Sequence, residues 1–385
     1  MKVLILSTDQ NILEKNSAVA ARMLEYGSLV DELHIIVFSI GSFVDSKRLQ
    51  IGNNVWVYPT NSKYKLLYGW DAIRIGRSIF KIQNSKSKIQ NTDDKWLVTS
   101  QDPFETGLAA SLLAYISRAN LQLQVHTDFL SKHFITTNLN HIRAILALFL
   151  LPKAEGIRVV SERIKESLQS KHIKFKAKID VLPIYTDIQK IIDTEPEFNV
   201  CERYPQFKFN ILMVGRLEAE KNYKLALQAF KGVVQKHPQT GLIIVGDGSE
   251  KKTIEKLIEK YKLGNNVILA GSRKDVISYY KTADLFLHTS NYEGYGLALV
   301  EAAAAGCPIV TTDVGVIGSF LNKDNTSVCE VGDTNCLKKS IILAMENKSL
   351  RARMAIDAQK ATLATATTKE EHLSKYKQTW LDSVE

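Results

Sequence analysis

The chain reads as an α/β protein of two domains, each built on a parallel sheet with crossover helices, facing one another across a cleft. Its 385 residues exceed what one hydrophobic core usually serves, so two domains of roughly 150–200 residues are expected. Short apolar runs also alternate with longer helical patterns along the whole chain, the rhythm of βα units. With 45% hydrophobic and 24% charged residues, the composition is that of a packed globular protein and excludes a disordered one.

In the first half the β-rich runs are residues 3–7, 33–38, 55–58, 96–100, 121–126, 157–160 and 179–182. Periodicity lapses over 185–206, where Pro196, Pro205 and several acids appear, and this reads as a linker. The second half is a Rossmann-like series, with runs at 209–214, 242–245, 267–270, 285–288 and 309–312, each followed by a polar or glycine turn and a helical segment. Residues 370–384 place Leu373, Tyr376, Trp380 and Val384 near one helical face, which needs a partner surface. The expected layout is a first Rossmann-like domain over 1–185, a linker over 186–206, a second Rossmann-like domain over 207–365 and a terminal helix over 366–385.

The opening residues, Met1-Lys2-Val3-Leu4-Ile5-Leu6-Ser7, meet Asp9 too early for a secretory signal and are expected as a buried strand. The longest apolar stretch, residues 145–151, falls well short of the roughly 20 residues that cross a bilayer. Cys201, Cys307, Cys329 and Cys336 form no C-x-x-C pair and no zinc spacing, so reduced thiols in a cytoplasmic protein are expected. The net charge of +9 is uneven. Between residues 47 and 88 nine Lys/Arg face one acid, Asp71, and between 143 and 178 nine face Glu155, Glu162 and Glu166. Net charge alone suggests nucleic acid, but no nucleic-acid module is recognisable. The first basic stretch also holds Trp56, Tyr58, Tyr64, Tyr68, Trp70 and Phe80, and 64–82 suits a basic amphipathic helix at an anionic membrane surface. A solvated basic face with core aromatics would read the same way.

Ligands in Rossmann-like sheets bind beyond the carboxyl ends of the strands, where helix N-termini point. After the first strand of the second half comes Gly215-Arg216-Leu217-Glu218-Ala219-Glu220-Lys221-Asn222. Arg216 offers a planar fork and Lys221 a point charge for a diphosphate, although an ordinary solvated turn fits the spacing equally. The next strand ends in Gly246-Asp247-Gly248-Ser249, where glycines permit close backbone approach and Ser249 is placed to cap the following helix. No G-x-G-x-x-G follows a strand, which argues against a dehydrogenase.

The densest pattern is Ser290-Asn291-Tyr292-Glu293-Gly294-Tyr295-Gly296-Leu297-Ala298-Leu299-Val300-Glu301. Gly294 and Gly296 make a tight turn, and Glu301 sits inside an apolar helix, roughly 8 Å from its start. That offset suits a diphosphate at the helix N-terminus, with one carboxylate reaching sugar hydroxyls and the other the ribose. A loop acid and a helix-surface acid are the plainer alternative.

This combination resembles the retaining GT-B glycosyltransferases of family GT4, whose E-x7-E motif, glycine turn and upstream G-R-L-x-x-E-K look like Glu293 to Glu301 and Gly215 to Lys221. The resemblance runs continuously through the second half. In the first it is patchy, at Gln101-Asp102-Pro103-Phe104-Glu105-Thr106-Gly107, His126-Thr127-Asp128 and around Val159-Val160-Ser161-Glu162. It implies transfer of a hexose-type sugar from a UDP- or GDP-sugar to a glycan or lipid-linked acceptor, with the first domain on the acceptor side and the last helix crossing back onto it. Arg216 and Lys221 would then bind the donor diphosphate, and the backbone of Gly294, Tyr295, Gly296 and Leu297 would meet phosphate or sugar. Gly246 and Gly248 would line the donor site, and Ser272 and Arg273 would lie beside the base. Glu293 would hold sugar hydroxyls, Glu301 the ribose, and His126 would reach toward the transferred sugar. Without the resemblance, His126 is an ordinary packed histidine at a strand end.

One departure is the segment from Asp9 to Ser17, which stands where many members carry a Gly-Gly turn. No D-x-D or carboxylate cluster suggests a metal, so metal-independent transfer with no cofactor is expected, the two cations taking the charge role. A silent nucleotide-sugar-binding subunit, an epimerase and a phosphorylase are the competing readings. The expected location is cytoplasmic, peripheral on the inner face of a membrane.

Overall fold

The computed structural model describes residues 1–14, 16–41, 48–90, 95–171 and 173–385, the side chains of 83–90 excepted. They form two units, one of Met1–Pro183 with Lys369–Glu385 and one of Ile184–Thr368.

The first unit runs β1 (Lys2–Ser7), α1 (Ala18–Gly27), β2 (Glu32–Val37), β3 (Leu49–Gly52), β4 (Val55–Pro59), α2 (Tyr68–Gln90), β5 (Trp96–Ser100), α3 (Glu105–Ser117), β6 (Asn120–Val125), α4 (Asn138–Leu150), β7 (Gly156–Val159), α5 (Glu162–Gln169) and β8 (Ile179–Val181). The sheet order is β3-β4-β2-β1-β5-β6-β7-β8. Every pair is parallel except β3 with β4. Alternate residues Val3, Ile5, Leu33, Ile35 and Val37 form a core with Met23 of α1 on one face, as period-2 side-chain alternation requires. On the other face α3 packs along β5 and beside α2, and the Phe80 ring lies 4.7 Å from Trp96.

The second unit runs α6 (Ile188–Asp193), α7 (Val200–Arg203), β9 (Phe209–Val214), α8 (Tyr223–Lys236), β10 (Thr240–Val245), α9 (Lys251–Tyr261), β11 (Val267–Gly271), α10 (Ile277–Thr282), β12 (Leu285–His288), α11 (Leu297–Ala304), β13 (Ile309–Thr312), β14 (Ser327–Cys329), α12 (Thr334–Glu346) and α13 (Lys348–Leu363). Its sheet is parallel throughout, in the order β11-β10-β9-β12-β13-β14. The stretch 186–206, expected as a linker, instead holds α6 and α7 inside this unit. Asp187 and Asn199 cap them, and Ile188, Ile191 and Val200 are buried. Helices of six and four residues are too short to show a period.

The last helix, α14 (Lys369–Leu381), belongs to the first unit. Its Tyr376 and Trp380 join the core beside α1. Gln122 Nε2 donates to the Thr379 carbonyl at 2.8 Å, and Gln124 Nε2 to the Tyr376 hydroxyl at 3.2 Å.

The expectation of four reduced thiols is corrected: Cys329 and Cys336 form a disulfide, with Cα atoms 5.8 Å apart. Cys329 closes β14 and Cys336 lies in the first turn of α12, so the short connection brings the pair within disulfide range. Cys201 and Cys307 are free. No described helix is long and apolar enough to cross a membrane.

Candidate functional site

In the second sheet β9 lies between β10 and β12. The strand order reverses between β9 and β12, and ligands enter such sheets at the carboxyl ends of the strands at that switch point. The turns there pack on one another through backbone. Gly215 N–H donates to Val245 O at 3.0 Å, and Gly246 N–H to Gly271 O at 2.9 Å. A Cβ on Gly246, whose φ is +145°, would stand 1.9 Å from Gly215 O, and one on Gly248 would stand 2.5 Å from Leu217 O. Only glycine permits that approach. The expected residues Arg216, Gly246 and Gly248 and the exposed turn of Ser272 and Arg273 are thereby gathered at three neighbouring strand ends. Ser249 does not cap α9. Its Oγ donates to Glu218 Oε2 at 2.7 Å, and the α9 cap position is Glu250, without a side-chain bond.

A second set of bonds ties the turn after β9 to the loop after β12. Asn291 N–H donates to Glu220 O at 2.7 Å. Asn222 Nδ2 donates to Asn291 Oδ1 at 2.8 Å, and Thr289 Oγ1 to Lys221 O at 3.0 Å. The result brings Lys221 to Glu293. Glu293 Oε1 accepts from Lys221 Nζ, from Ser290 Oγ at 2.8 Å and from His288 Nε2 at 3.1 Å. Burial pushes the Glu293 carboxyl up, but the His288 hydrogen bond and the Lys221 charge outweigh it and hold the group well below the usual carboxylate range. His288 is held below its ordinary value chiefly by burial, against the pull of Glu293. It is therefore a neutral ring whose Nε2–H points at the carboxylate. All three bonds fall on Oε1.

Arg216 differs from Lys221. Its side chain is 76% exposed and Nη2 lies 3.0 Å from Glu220 Oε1, so most of its guanidinium donors face solvent. Gly296 has φ +89° and starts α11 without a side-chain cap. Behind it, Val316 N–H donates to Tyr295 O at 2.9 Å, and a Cβ on Gly315 would stand 2.3 Å from that oxygen. Gly294, Tyr295, Gly296 and Leu297 thus form a backbone turn fixed at a helix N-terminus. Inside α11, Glu301 Oε2 accepts from Tyr280 OH at 3.0 Å. Burial raises the Glu301 carboxyl, with the Tyr280 bond working the other way.

Three participants carried no role in the sequence: His288, Ser290 and Tyr280. Ser290 lies inside the quoted motif, and His288 ends the preceding strand, so both were within reach of spacing. Tyr280 sits on α10, with nothing in the sequence to connect it to Glu301.

His126 lies in the first unit, just past β6. Its Nε2 is 3.1 Å from Gln124 Oε1, which also accepts from Arg158 Nη1 at 2.7 Å. Burial, with the Arg158 and Arg22 charges, pushes the imidazole down to about 3. Because an amide oxygen only accepts, Nε2 carries the proton and Nδ1 is the acceptor. The other expected site residues all lie in the second unit. From Asp9 to Ser17 the chain makes a 3-10 turn (Gln10–Leu13) capped by Asp9, with Lys15 outside the described residues. Of the basic stretch between 47 and 88, Lys47 and the side chains of Lys86 and Lys88 also lie outside them. Among the described residues no group of three or more His, Cys, Asp or Glu is arranged to hold a metal ion.

Two α/β units with these sheets define a protein of the GT-B fold. HepE of Anabaena, solved with UDP and glucose, superposes with a TM-score of 0.75 at 18% identity, covering 99% of each chain. Residues 202–361 match the family model "Glycosyl transferases group 1". It is 30% identical over 162 residues to an uncharacterized glycosyltransferase of Methanocaldococcus jannaschii, covering 42% of this chain and 40% of that one. It is 35% identical over 158 residues to the poly(glycerol-phosphate) alpha-glucosyltransferase of Bacillus subtilis, covering 40% and 24%. The chain therefore spans less than half the length of these two relatives.

Proposed function

We propose that the protein is a retaining glycosyltransferase of the GT4 type that moves a hexose-type sugar from a UDP- or GDP-sugar to a glycan or lipid-linked acceptor. The observation that carries this reading is Glu293, held ionised by Lys221 and His288 through one oxygen, beside the fixed turn that opens α11. A diphosphate at that turn gains from the helix N-terminus and from Arg216 and Lys221, while Glu293 takes sugar hydroxyls and Glu301 the ribose. UDP in the similarly folded HepE supports a uridine donor. In the reaction the C1–O bond to the diphosphate breaks and a C1–O bond to the acceptor forms on the same face. The acceptor proton passes to the departing phosphate oxygen. Stabilising that leaving group is the main task, and fixed cations perform it without a metal. The reading includes His126 on the sugar and a cytoplasmic location at the inner face of a membrane.

Incubation with UDP-, GDP- and ADP-sugars, read as nucleotide release with and without glycan and lipid acceptors, tests the proposal. Release from a UDP- or GDP-sugar that persists in EDTA is expected. Release from none, with or without acceptors, would favour a silent binding subunit, and loss in EDTA restored by magnesium would overturn the metal-independent step.

A further inference from the structure

We propose that the outer face of α2, α3 and α4 docks the first unit onto an anionic lipid bilayer. This deepens the proposed function, and it rests on that reading only for why a lipid surface is useful.

Helix α3 lies between α2 and α4. Its Ala109, Ala110, Leu113 and Ala114 are buried, while Leu108, Leu112, Tyr115 and Ile116 are exposed, Tyr115 at 85%. That spacing is one stripe of a helix, on the side away from the sheet. Helix α4 repeats the arrangement. Ala144, Ala147 and Leu150 are buried, and Leu139, Ile142, Ile145 and Phe149 are exposed, Phe149 at 60%. An exposed apolar surface this continuous is unusual on a globular unit and marks an interaction site.

Helix α2 supplies charge. Trp70, 71% exposed, is followed at helical spacing by exposed Arg74, Arg77 and Lys81. Over 64–82, 105–118 and 138–153 the acids are Asp71 and Glu105 alone, against Lys65, Arg74, Arg77, Lys81, Arg118, Arg143 and Lys153. Both acids are in ion pairs, Asp71 with Arg74 at 3.2 Å and Glu105 with Arg143 at 2.8 Å. The Lys153 ammonium sits over the Phe149 ring at 3.3 Å, a cation–π contact that holds a positive charge against the apolar stripe.

The occupant must accept apolar side chains and bring negative charge. A second copy meeting this face about a two-fold axis would set cations against cations. A bilayer with anionic headgroups meets both demands, taking the aromatic and aliphatic side chains at the headgroup boundary and the cations at the phosphates.

Sedimentation with vesicles of phosphatidylcholine, alone or mixed with phosphatidylglycerol, tests this on the full chain. We expect binding to the mixed vesicles at low salt, weakened as salt rises, with a blue shift in Trp70 emission. The variants Ile142→Ser/Ile145→Ser/Phe149→Ser and Arg74→Glu/Arg77→Glu should each lower vesicle affinity at least about tenfold. All the altered positions are exposed, so folding is retained. Calorimetry with UDP should give one affinity for all three proteins, and a failure of the donor reading would appear there separately. Absence of binding to mixed vesicles at low salt, or equal binding by the variants, would overturn the proposal. So would a concentration-dependent dimer broken by the triple variant in a protein that ignores vesicles.

Discussion

His288 Nε2 stands 3.1 Å from Glu293 Oε1, joining the end of β12 to a carboxylate five residues further on. The bond, with those from Lys221 and Ser290, fixes the orientation of the Glu293 carboxylate. His288→Phe should therefore lower turnover roughly 10–100-fold through misplacement of the carboxylate, with UDP affinity nearly unchanged and partial recovery in His288→Asn. Equal losses in turnover and in UDP affinity would show that the ring acts on nucleotide binding.

Arg216→Ala and Lys221→Ala should both lower turnover, by roughly 10²–10³, through lost stabilisation of the leaving diphosphate. Their stabilities should differ. The exposed Arg216 pair is worth at most about 1 kcal/mol, whereas removing Lys221 strands a buried carboxylate at about 3 kcal/mol. Adding Glu293→Gln to Lys221→Ala should recover much of that loss. Urea unfolding of the three variants checks this, and equal midpoints for the two single variants would contradict the burial argument.

Glu301→Ala should weaken binding of the free nucleoside diphosphate, while Glu293→Ala should spare it and lower turnover. Tyr280→Phe should act as a milder Glu301→Ala, because it removes the hydroxyl that holds Glu301 Oε2 and lets burial raise that carboxyl further. Titration calorimetry separates the three, and an equal affinity loss in the Glu293 and Glu301 variants would remove the division of roles.

The first unit should lose stability in mild acid. Its unfolded chain takes up a proton at each imidazole below about 6.5, but the fold keeps His34 and His372 neutral down to about 4 and His126 down to about 3. Stability from these three groups is complete above pH 6.5. It falls as pH drops toward 4, by up to about 1.4 kcal/mol per pH unit for each ring. Thermal melts at pH 7 and pH 5 should show a lower midpoint at pH 5, less so in His34→Phe. Superimposable melts would mean that the rings are protonated within the fold.

Much of this molecule was legible in the residues. Runs such as 209–214 and 285–288 are apolar but for Asn210 and His288 and are bounded by turns, so they read as buried parallel strands without a partner in view. The short edge strands escaped. β3 is Leu-Gln-Ile-Gly, partly exposed, and β14 has three residues, too few for any period to register. In the candidate site, charge and glycine spacing singled out Arg216, Lys221, Glu293 and Glu301 because those groups suit phosphate and hydroxyl ligands. The supporting residues were harder to see, since Tyr280 meets Glu301 only after α10 and α11 pack. The disulfide hid for a similar reason: Cys329 and Cys336 are neighbours across a turn whose closeness spacing does not state.

Tyr376 and Trp380, from α14, close a core whose other members all lie before residue 184. During synthesis the first unit must then wait. Its strands emerge early, but the face carrying Val3, Ile5 and Leu33, partly covered by α1, is completed only once residue 380 has been added, after the whole of the second unit. The second unit, continuous from Ile184 to Thr368, has every strand of its own sheet before that moment. The unit begun first is thus the last to be finished, and whatever guards a nascent chain must guard the first unit's open face until α14 arrives.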